Sequence, residues 1–307
     1  MKKENLLAIY NQKYAETYNH KFLTNPFSQI SADFELGQLK GLVNKETSWL
    51  DIGCGTGYFL SMFPGIRRAG MDLSPDMLTA AKMVNPDALF FKEADFRLDV
   101  LEWHEQWSFI TCMWYPYSYV ESLTELEMMV NNMIAWVKPG GDMYMPVADL
   151  EDFRPEIPAV PYEKHEEVYG GLIYISAYTW TWVEDDEAKT HVHMIAPHIE
   201  HVVRLMEPFF ETIEIVRYPP AYEGWVSRKA IVARNKYKKD EGKNQKANII
   251  RHPMPSPANV NPEMDTNDGK AEEKNTLDAA THRQLFRELL KRLKNGHFLR
   301  SVKKKLF

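Results

Sequence analysis

Leu50-Asp51-Ile52-Gly53-Cys54-Gly55-Thr56-Gly57 passes from an apolar run through an acid into three closely spaced glycines, and a helical pattern begins at Tyr58-Phe59-Leu60. Strand, glycine loop and helix in that order describe a turn whose bare backbone lets a small ligand approach the peptide groups at a helix start. The arrangement suits a nucleotide-type ligand. Dinucleotide and phosphate-binding loops share these physical needs, so the glycines alone do not name the ligand.

Two further features narrow it. Asp51 stands just before the first glycine, where a carboxylate can face the ammonium of a bound zwitterion. Asp72, in Ala69-Gly70-Met71-Asp72-Leu73-Ser74-Pro75-Asp76-Met77-Leu78, falls 19 residues after Gly53 at the end of the next strand, where an acid can accept both hydroxyls of a ribose. Together these segments resemble motif I and the acidic loop of the class I S-adenosylmethionine-dependent methyltransferases of small-molecule type. A nicotinamide enzyme also places an acid about 20 residues past its glycines. However, Gly53, Gly55 and Gly57 are spaced G-x-G-x-G, not G-x-G-x-x-G.

The resemblance implies S-adenosylmethionine as cofactor. It places Gly53, Cys54, Gly55 and Gly57 against it, Asp51 at its amino-acid end, Asp72 and Leu73 at its ribose, and Met77 and Met113 nearby. Glu93-Ala94-Asp95-Phe96 resembles the segment in which an acid (Asp95) meets the adenine amino group and an apolar neighbour (Phe96) covers the ring. Tyr-Ala-Glu-Thr-Tyr, residues 14–18, looks like the family's lid helix over the cofactor, which makes Tyr14 and Tyr18 lid residues. Val137-Lys138-Pro139-Gly140-Gly141 looks like the family's Lys/Arg-Pro-Gly-Gly turn. Ser108 stands where members commonly carry Asp.

Along the chain, residues 4–23 read as one helix with Tyr10, Tyr14, Tyr18 and Phe22 on one face. Strands are expected at 48–52, closing at Asp72, at 88–91, at 107–113 and at 142–147. Helices are expected at 58–62, from Pro75 (capped by Ser74) to Val84, and from the capping box Ser122-x-x-Glu125 to Trp136. This alternation specifies an α/β fold, a doubly wound Rossmann-like sheet. After 149 the order breaks. Gly171–Val183 alternates, with Tyr174, Tyr178, Trp180 and Trp182 on one face and Ile173, Ile175, Ala177 and Val183 on the other, and Lys189–Ile195 returns with His191 and His193 on a common face. A small antiparallel β insert, about 149–196, is expected to pack its aliphatic face on the domain and offer the aromatic one to a ligand. A helix at 197–206 and strands at 212–216 and 228–234 then complete seven strands, the last pair with one antiparallel, so the domain is expected to end near 235.

Beyond that point, residues 236–280 are polar and proline-containing and read as a disordered linker. Residues 281–307 regain a helical pattern and carry nine Lys/Arg from 283 onward against one acid. This basic amphipathic tail suits an anionic membrane surface or an acidic protein partner.

Hydrophobic residues at 44%, charged residues at 26% and a formal charge of -6 fit a soluble protein with no global nucleic-acid footprint. No disulfide framework, signal peptide or membrane span is read, so the cytoplasm is the expected home. The loop Trp114-Tyr115-Pro116-Tyr117-Ser118-Tyr119 follows the fourth strand, where α/β sheets bind ligands. Tyr115, Tyr117 and Tyr119 are candidates to orient an acceptor or face a cationic nitrogen. His191 and His193 are candidate general bases for a hydroxyl acceptor. As an HxH pair they lack a third ligand group, so no metal is expected. No Asn/Asp-Pro-Pro-Tyr follows strand four, which argues against nucleic-acid bases and glutamine as acceptors. The expected activity is methyl transfer to nitrogen or oxygen of a small molecule such as an amino sugar, glycan or natural-product intermediate. A silent cofactor-binding protein of the same fold, a macromolecular acceptor and a homodimer stay open.

Overall fold

Helix, strand and glycine signals along residues 48–147 produce the expected alternation in the computed structural model. It describes residues 3–149, 176–183, 190–220, 228–238 and 246–253, all within the compact unit Met1–Val260. A second unit, Asn261–Phe307, and with it the expected basic tail, lies outside the described residues.

The N-terminal part forms three helices, α1 (Lys3–Ile9), α2 (Gln12–Phe22) and α3 (Pro26–Leu42). The single helix expected over 4–23 is broken because Asn11 leaves helical geometry and its side chain accepts from Tyr14 N at 3.1 Å, starting a new N-terminus. Helix α3 has no counterpart in the sequence reading. The next elements are β1 (Ser48–Ile52), α4 (Tyr58–Ser61), β2 (Arg67–Asp72), α5 (Pro75–Val84), β3 (Phe90–Glu93), β4 (Trp107–Thr111), α6 (Leu123–Trp136) and β5 (Val137–Val147). Ser74 and Ser122 cap α5 and α6 by accepting from Met77 N and Glu125 N. Lys138 to Gly141 loop out of the ladder between the Trp107 and Phe109 pairings. Gly140 takes φ 75°, and a Cβ on Gly141 would stand 2.8 Å from Ser108 O. Ser108 itself pins β4 to β1, its Oγ accepting from Ser48 N at 2.8 Å.

The remaining elements are β6 (Ala177–Val183), β7 (Thr190–Pro197), α7 (Ile199–Met206), β8 (Phe210–Arg217), β9 (Lys229–Lys236) and β10 (Asn248–Arg251). The main sheet has eight strands in the order β10-β8-β9-β5-β4-β1-β2-β3, and β9 alone runs against the others. The eighth strand corrects the sequence reading, which ended the sheet near 235 and treated 236–280 as disordered. Ile249 packs against the core, and Arg251 and His252 bond Glu200 and Glu214, so four residues suffice to extend the sheet. β6 and β7 form the separate two-stranded antiparallel sheet.

Alternation along the central strands separates two cores. Leu50, Ile52, Ile110, Cys112, Met143 and Met145 face α6 and α7, while Trp49, Phe109 and Tyr144 face α3 and α4. Because β1 lies between β4 and β2, the chain order reverses beside β1, and the crevice that opens there is where such sheets take ligands.

No described helix is long and apolar enough to cross a membrane.

Candidate active site

A cavity of about 490 Å³ lies at the carboxyl ends of β1, β2 and β4, a volume in the range of small-molecule sites. Its floor is the glycine loop. Gly53, Gly55 and Gly57 all take left-handed backbone, with φ of 62°, 53° and 68°. Their reasons differ. A Cβ on Gly53 would stand 2.5 Å from Pro116 in the loop after β4, and one on Gly57 would stand 2.7 Å from Asn85 Nδ2 beside α5. A Cβ on Gly55 would meet nothing within 4 Å, so that missing side chain is open space on the cavity wall. Gly57 serves close helix packing and does not line the cavity.

Asp72 also lines the cavity. Its carboxylate accepts from Gly55 N at 2.8 Å and Ser74 N at 2.9 Å, which leaves each oxygen a further lone pair for a ligand hydroxyl. Burial raises its pKa above the ordinary carboxylate value, which the bonds from Ser74 and Gly55 oppose. Leu73, Met77, Phe96 and Met113 supply an apolar lining beside it.

Asp51 is not on the cavity. It is 1% exposed beneath the loop, its Oδ1 accepts from Thr111 Oγ1 at 2.6 Å, and Thr111 accepts from Trp49 Nε1 at 2.8 Å. Burial, aided by the negative charges of Asp72 and Glu35, lifts its pKa to about 7. Cys54 also sits behind the loop, its Sγ where a Cβ on Gly70 would go, and burial raises its thiol pKa. Asp95 is corrected too. Arg97, two residues on, folds back and grips its carboxylate through Nε at 2.9 Å and Nη2 at 2.6 Å, so the guanidinium and not the acid reaches the cavity.

The N-terminal helices form the roof. Tyr10, Tyr14, Tyr18 and Phe22 line the cavity as an aromatic chain with successive ring centroids 5.1, 5.8 and 5.0 Å apart. Three bonds tie this roof to the sheet: Thr56 Oγ1 to Asn19 Oδ1 at 2.5 Å, Ser74 Oγ to Tyr10 O at 2.6 Å, and Tyr10 Oη with Tyr119 Oη at 2.7 Å. Burial raises the pKa of the Tyr10 and Tyr18 phenols, which keeps them neutral hydrogen-bonding groups.

The insert supplies one side. Tyr178, Trp180 and Trp182 are half-buried on the inner face of β6, and Trp180 and Trp182 line the cavity, whereas Thr179, Thr181 and Val183 face out. The aromatic face meets the cavity as expected, and of the aliphatic face Ala177 packs on the core while Val183 is exposed; Ile173 and Ile175 lie outside the described residues. The site itself draws the large rings inward. The two histidines also part company. The ladder shifts between Trp180 and Trp182, opposite His193, whose φ is 57°; this bulge turns His193 outward while His191 is fully buried. His191 stacks on Trp182 at 4.6 Å, and its Nδ1 meets Tyr119 Oη at 3.0 Å, so it touches the cavity through two lining residues.

Trp114, Tyr115 and Tyr119 line the cavity, but Tyr117 does not: it is fully buried, and its hydroxyl accepts from Ala148 N at 2.8 Å to brace the end of β5. Arg228, just before β9, brings its guanidinium to 4.6 Å over the Trp114 ring and 5.6 Å from Tyr115. Tyr10, Trp114, Arg97 and Arg228 are cavity residues that sequence reasoning did not assign. Tyr10 was visible in the fourth-residue spacing, whereas Arg228 carries no local signal.

Among the described residues no group of three His, Cys, Asp or Glu could hold a metal.

Against this geometry stand the comparisons. The family model described as "Methyltransferase domain" matches residues 50–141, from β1 into the turn that opens β5. That span is similar to a methyltransferase domain. The chain is 31% identical over 146 residues to a dTDP-3-amino-3,6-dideoxy-alpha-D-glucopyranose N,N-dimethyltransferase of Streptomyces fradiae, covering 44% of this chain and 52% of that one. It is 28% identical over 138 residues to a dTDP-3-amino-3,4,6-trideoxy-alpha-D-glucopyranose N,N-dimethyltransferase of Streptomyces venezuelae, covering 43% and 56%. The match spans about half the length of these relatives. Among solved structures, the N-methyltransferase NodS from Bradyrhizobium japonicum WM9, in complex with S-adenosyl-L-homocysteine, is similar with a TM-score of 0.46 and 16% identity, over 69% of this chain and 89% of that one. The matched span therefore contains the glycine loop, Asp72 and the aromatic loop after β4, while the tyrosine roof and the insert lie outside it.

Proposed function

We propose that the chain transfers the methyl group of S-adenosylmethionine to an amine of a small molecule, with an amino sugar as the leading acceptor class. The observation that carries this reading is the cavity itself. A glycine floor and a ribose-ready carboxylate lie at one part of it, and a set of rings, with no acidic side chain among them in the described residues, lies at another. The amino-sugar N,N-dimethyltransferases matched over the same domain support the acceptor class.

The residues present fit the cofactor. Open space beside Gly55 admits a ligand against the backbone. Asp72 retains lone pairs for ribose hydroxyls, and Leu73, Met77 and Phe96 offer an apolar slot for a base. When bound, S-adenosylmethionine supplies an electrophilic methyl on a sulfonium, whose transfer is an in-line displacement. The protein's share is alignment and exclusion of water. The roof of Tyr10, Tyr14 and Tyr18 closes over the floor, and Trp180 and Trp182 close the side. A neutral amine attacks without a base, and the proton shed afterwards needs an acceptor. Tyr119 Oη, in contact with His191 Nδ1, provides a route from the cavity wall to a buried imidazole. His193 and Tyr117 take no part in this assignment.

Calorimetry with S-adenosylmethionine, followed by mass spectrometry of amine- and hydroxyl-bearing sugar nucleotides incubated with it, tests the reading. Cofactor binding with one or two methyl groups gained on an amine is expected. Cofactor binding with no methylated product from any acceptor would favour a silent binding protein, and absence of cofactor binding would end the methyltransferase reading.

A further inference from the structure

Glu35, midway along α3, is 1% exposed and does not line the cavity. Its carboxylate joins two parts of the fold. Oε2 accepts from Trp114 Nε1 at 2.6 Å, and Oε1 accepts from the Tyr218 hydroxyl at 2.7 Å, which in turn meets Tyr144 Oη at 2.9 Å. Trp114 and Tyr115 both stand in left-handed backbone, with φ of 59° and 63°. Bulky residues adopt that geometry only where their surroundings over-determine it. The bond to Glu35 is one such restraint, and the same indole carries the Arg228 guanidinium on the cavity side.

We propose that Glu35 is a positioning residue for the acceptor part of the cavity: by fixing the Trp114 indole it sets where Arg228 lies, and so governs acceptor affinity without governing cofactor affinity. The inference rests on the methyl-transfer reading above. Glu35 is not hydrogen-bonded to Gly53, Gly55, Asp72 or Met77, and its two acceptor oxygens serve two donors on separate elements.

The carboxylate can be dissected by substitution. In E35Q the amide oxygen can still accept from Trp114, whose N–H can only donate, while the NH2 faces Tyr218, whose hydroxyl can reverse and accept. Burial lifts the Glu35 pKa to about 7, so above that pH the carboxylate is charged, and there E35Q keeps the indole bond and removes the charge facing Arg228. W114F removes the bond and keeps the charge, and E35A removes both.

The test uses the full chain loaded with S-adenosylhomocysteine and, as probe, dTDP-3-amino-3,6-dideoxy-α-D-glucopyranose, titrated by calorimetry. E35A and W114F should weaken probe binding about tenfold, the loss expected for one charge-assisted hydrogen bond, and E35Q clearly less. Affinity for S-adenosylhomocysteine should stay within about twofold in E35A and E35Q, as for sites that share no partner. In nitrogen-15 spectra the indole N–H resonance assigned by its loss in W114F should lie downfield, move upfield in E35A and largely persist in E35Q. Unchanged probe affinity in E35A and W114F, cofactor affinity falling in step with it in E35A, or an indole resonance indifferent to E35A would each overturn the proposal. Should E35A fail to fold, W114F and E35Q carry the same comparison. A wild-type chain that binds S-adenosylhomocysteine but not the probe would instead sink the amino-sugar reading, and the indole resonance would still decide whether Glu35 holds Trp114.

Discussion

Alanine at Gly53 and alanine at Gly55 should fail in different ways, although the two residues are neighbours in one loop. Both positions have left-handed φ, which costs a residue with a Cβ about 1–2 kcal/mol. At Gly55 that is the whole stability cost, because the new methyl meets nothing within 4 Å. At Gly53 the methyl would stand 2.5 Å from Pro116 Cβ and Cγ, and forcing a packed loop apart adds about 1–3 kcal/mol. Thermal unfolding followed by circular dichroism should therefore place G53A below G55A by roughly 2–4 °C for each kcal/mol of that difference. Ligand affinity should show the reverse pattern. G55A puts its methyl into the cavity and should weaken S-adenosylhomocysteine by at least about tenfold, the cost of overfilling a packed site. Equal melting temperatures for the two variants, or G55A binding like the parent, would refute the assignment of Gly53 to packing and Gly55 to the ligand.

Other expectations follow from the same geometry. Burial lifts the folded pKa of Asp51 from 3.8 to about 7, so the folded state holds a proton that the unfolded state releases. Ligand-free stability should thus fall as pH rises from about 4 to about 7 and level off above, with a shallower fall in D51N; a slope unchanged by D51N would remove Asp51 from the account. H191A should cost about 1–3 kcal/mol in denaturant unfolding, because it removes the imidazole partner of the Tyr119 hydroxyl and empties the space against Trp182, whereas exposed H193A should stay within about 0.5 kcal/mol. Y10F deletes one hydroxyl of the Tyr10–Tyr119 pair and should cost about 1 kcal/mol of roof closure, read as roughly fivefold weaker S-adenosylhomocysteine. Lys229 and Asp149 form a fully buried ion pair, and Asp149 also accepts from Ile199 N to start α7. D149A should cost about 3–5 kcal/mol on unfolding.

What could be seen in the sequence was local. The glycine loop, the Ser74 and Ser122 caps and the alternating strands are signals of a few residues, and each led to the element found. The misses are of other kinds. Helix α3 has Gly37 and Gly41 within or near its last turns, which blur its start and stop signals. The strand at 248–251 is too short for its alternation to stand out from polar surroundings. His191-Val192-His193 has the spacing of two residues on one face, and only the ladder shift opposite Trp182 shows that it is not. Asp95 matched a family position, yet the arginine two residues on changes its partner. Glu35 and Trp114 are 79 residues apart, and only the folded sheet brings them into contact.

The short final strand also has a consequence for how far the chain can be trimmed. Beyond β9 the sheet continues to β8, and β10 covers the outer side of β8 with a parallel ladder from Asn248 to Arg251. A version cut at 235 would leave that row of amides and carbonyls open to any extended peptide, including β8 of another molecule. Four residues that contribute nothing to the crevice would then decide whether the protein stays in solution or strings itself into strand-paired aggregates.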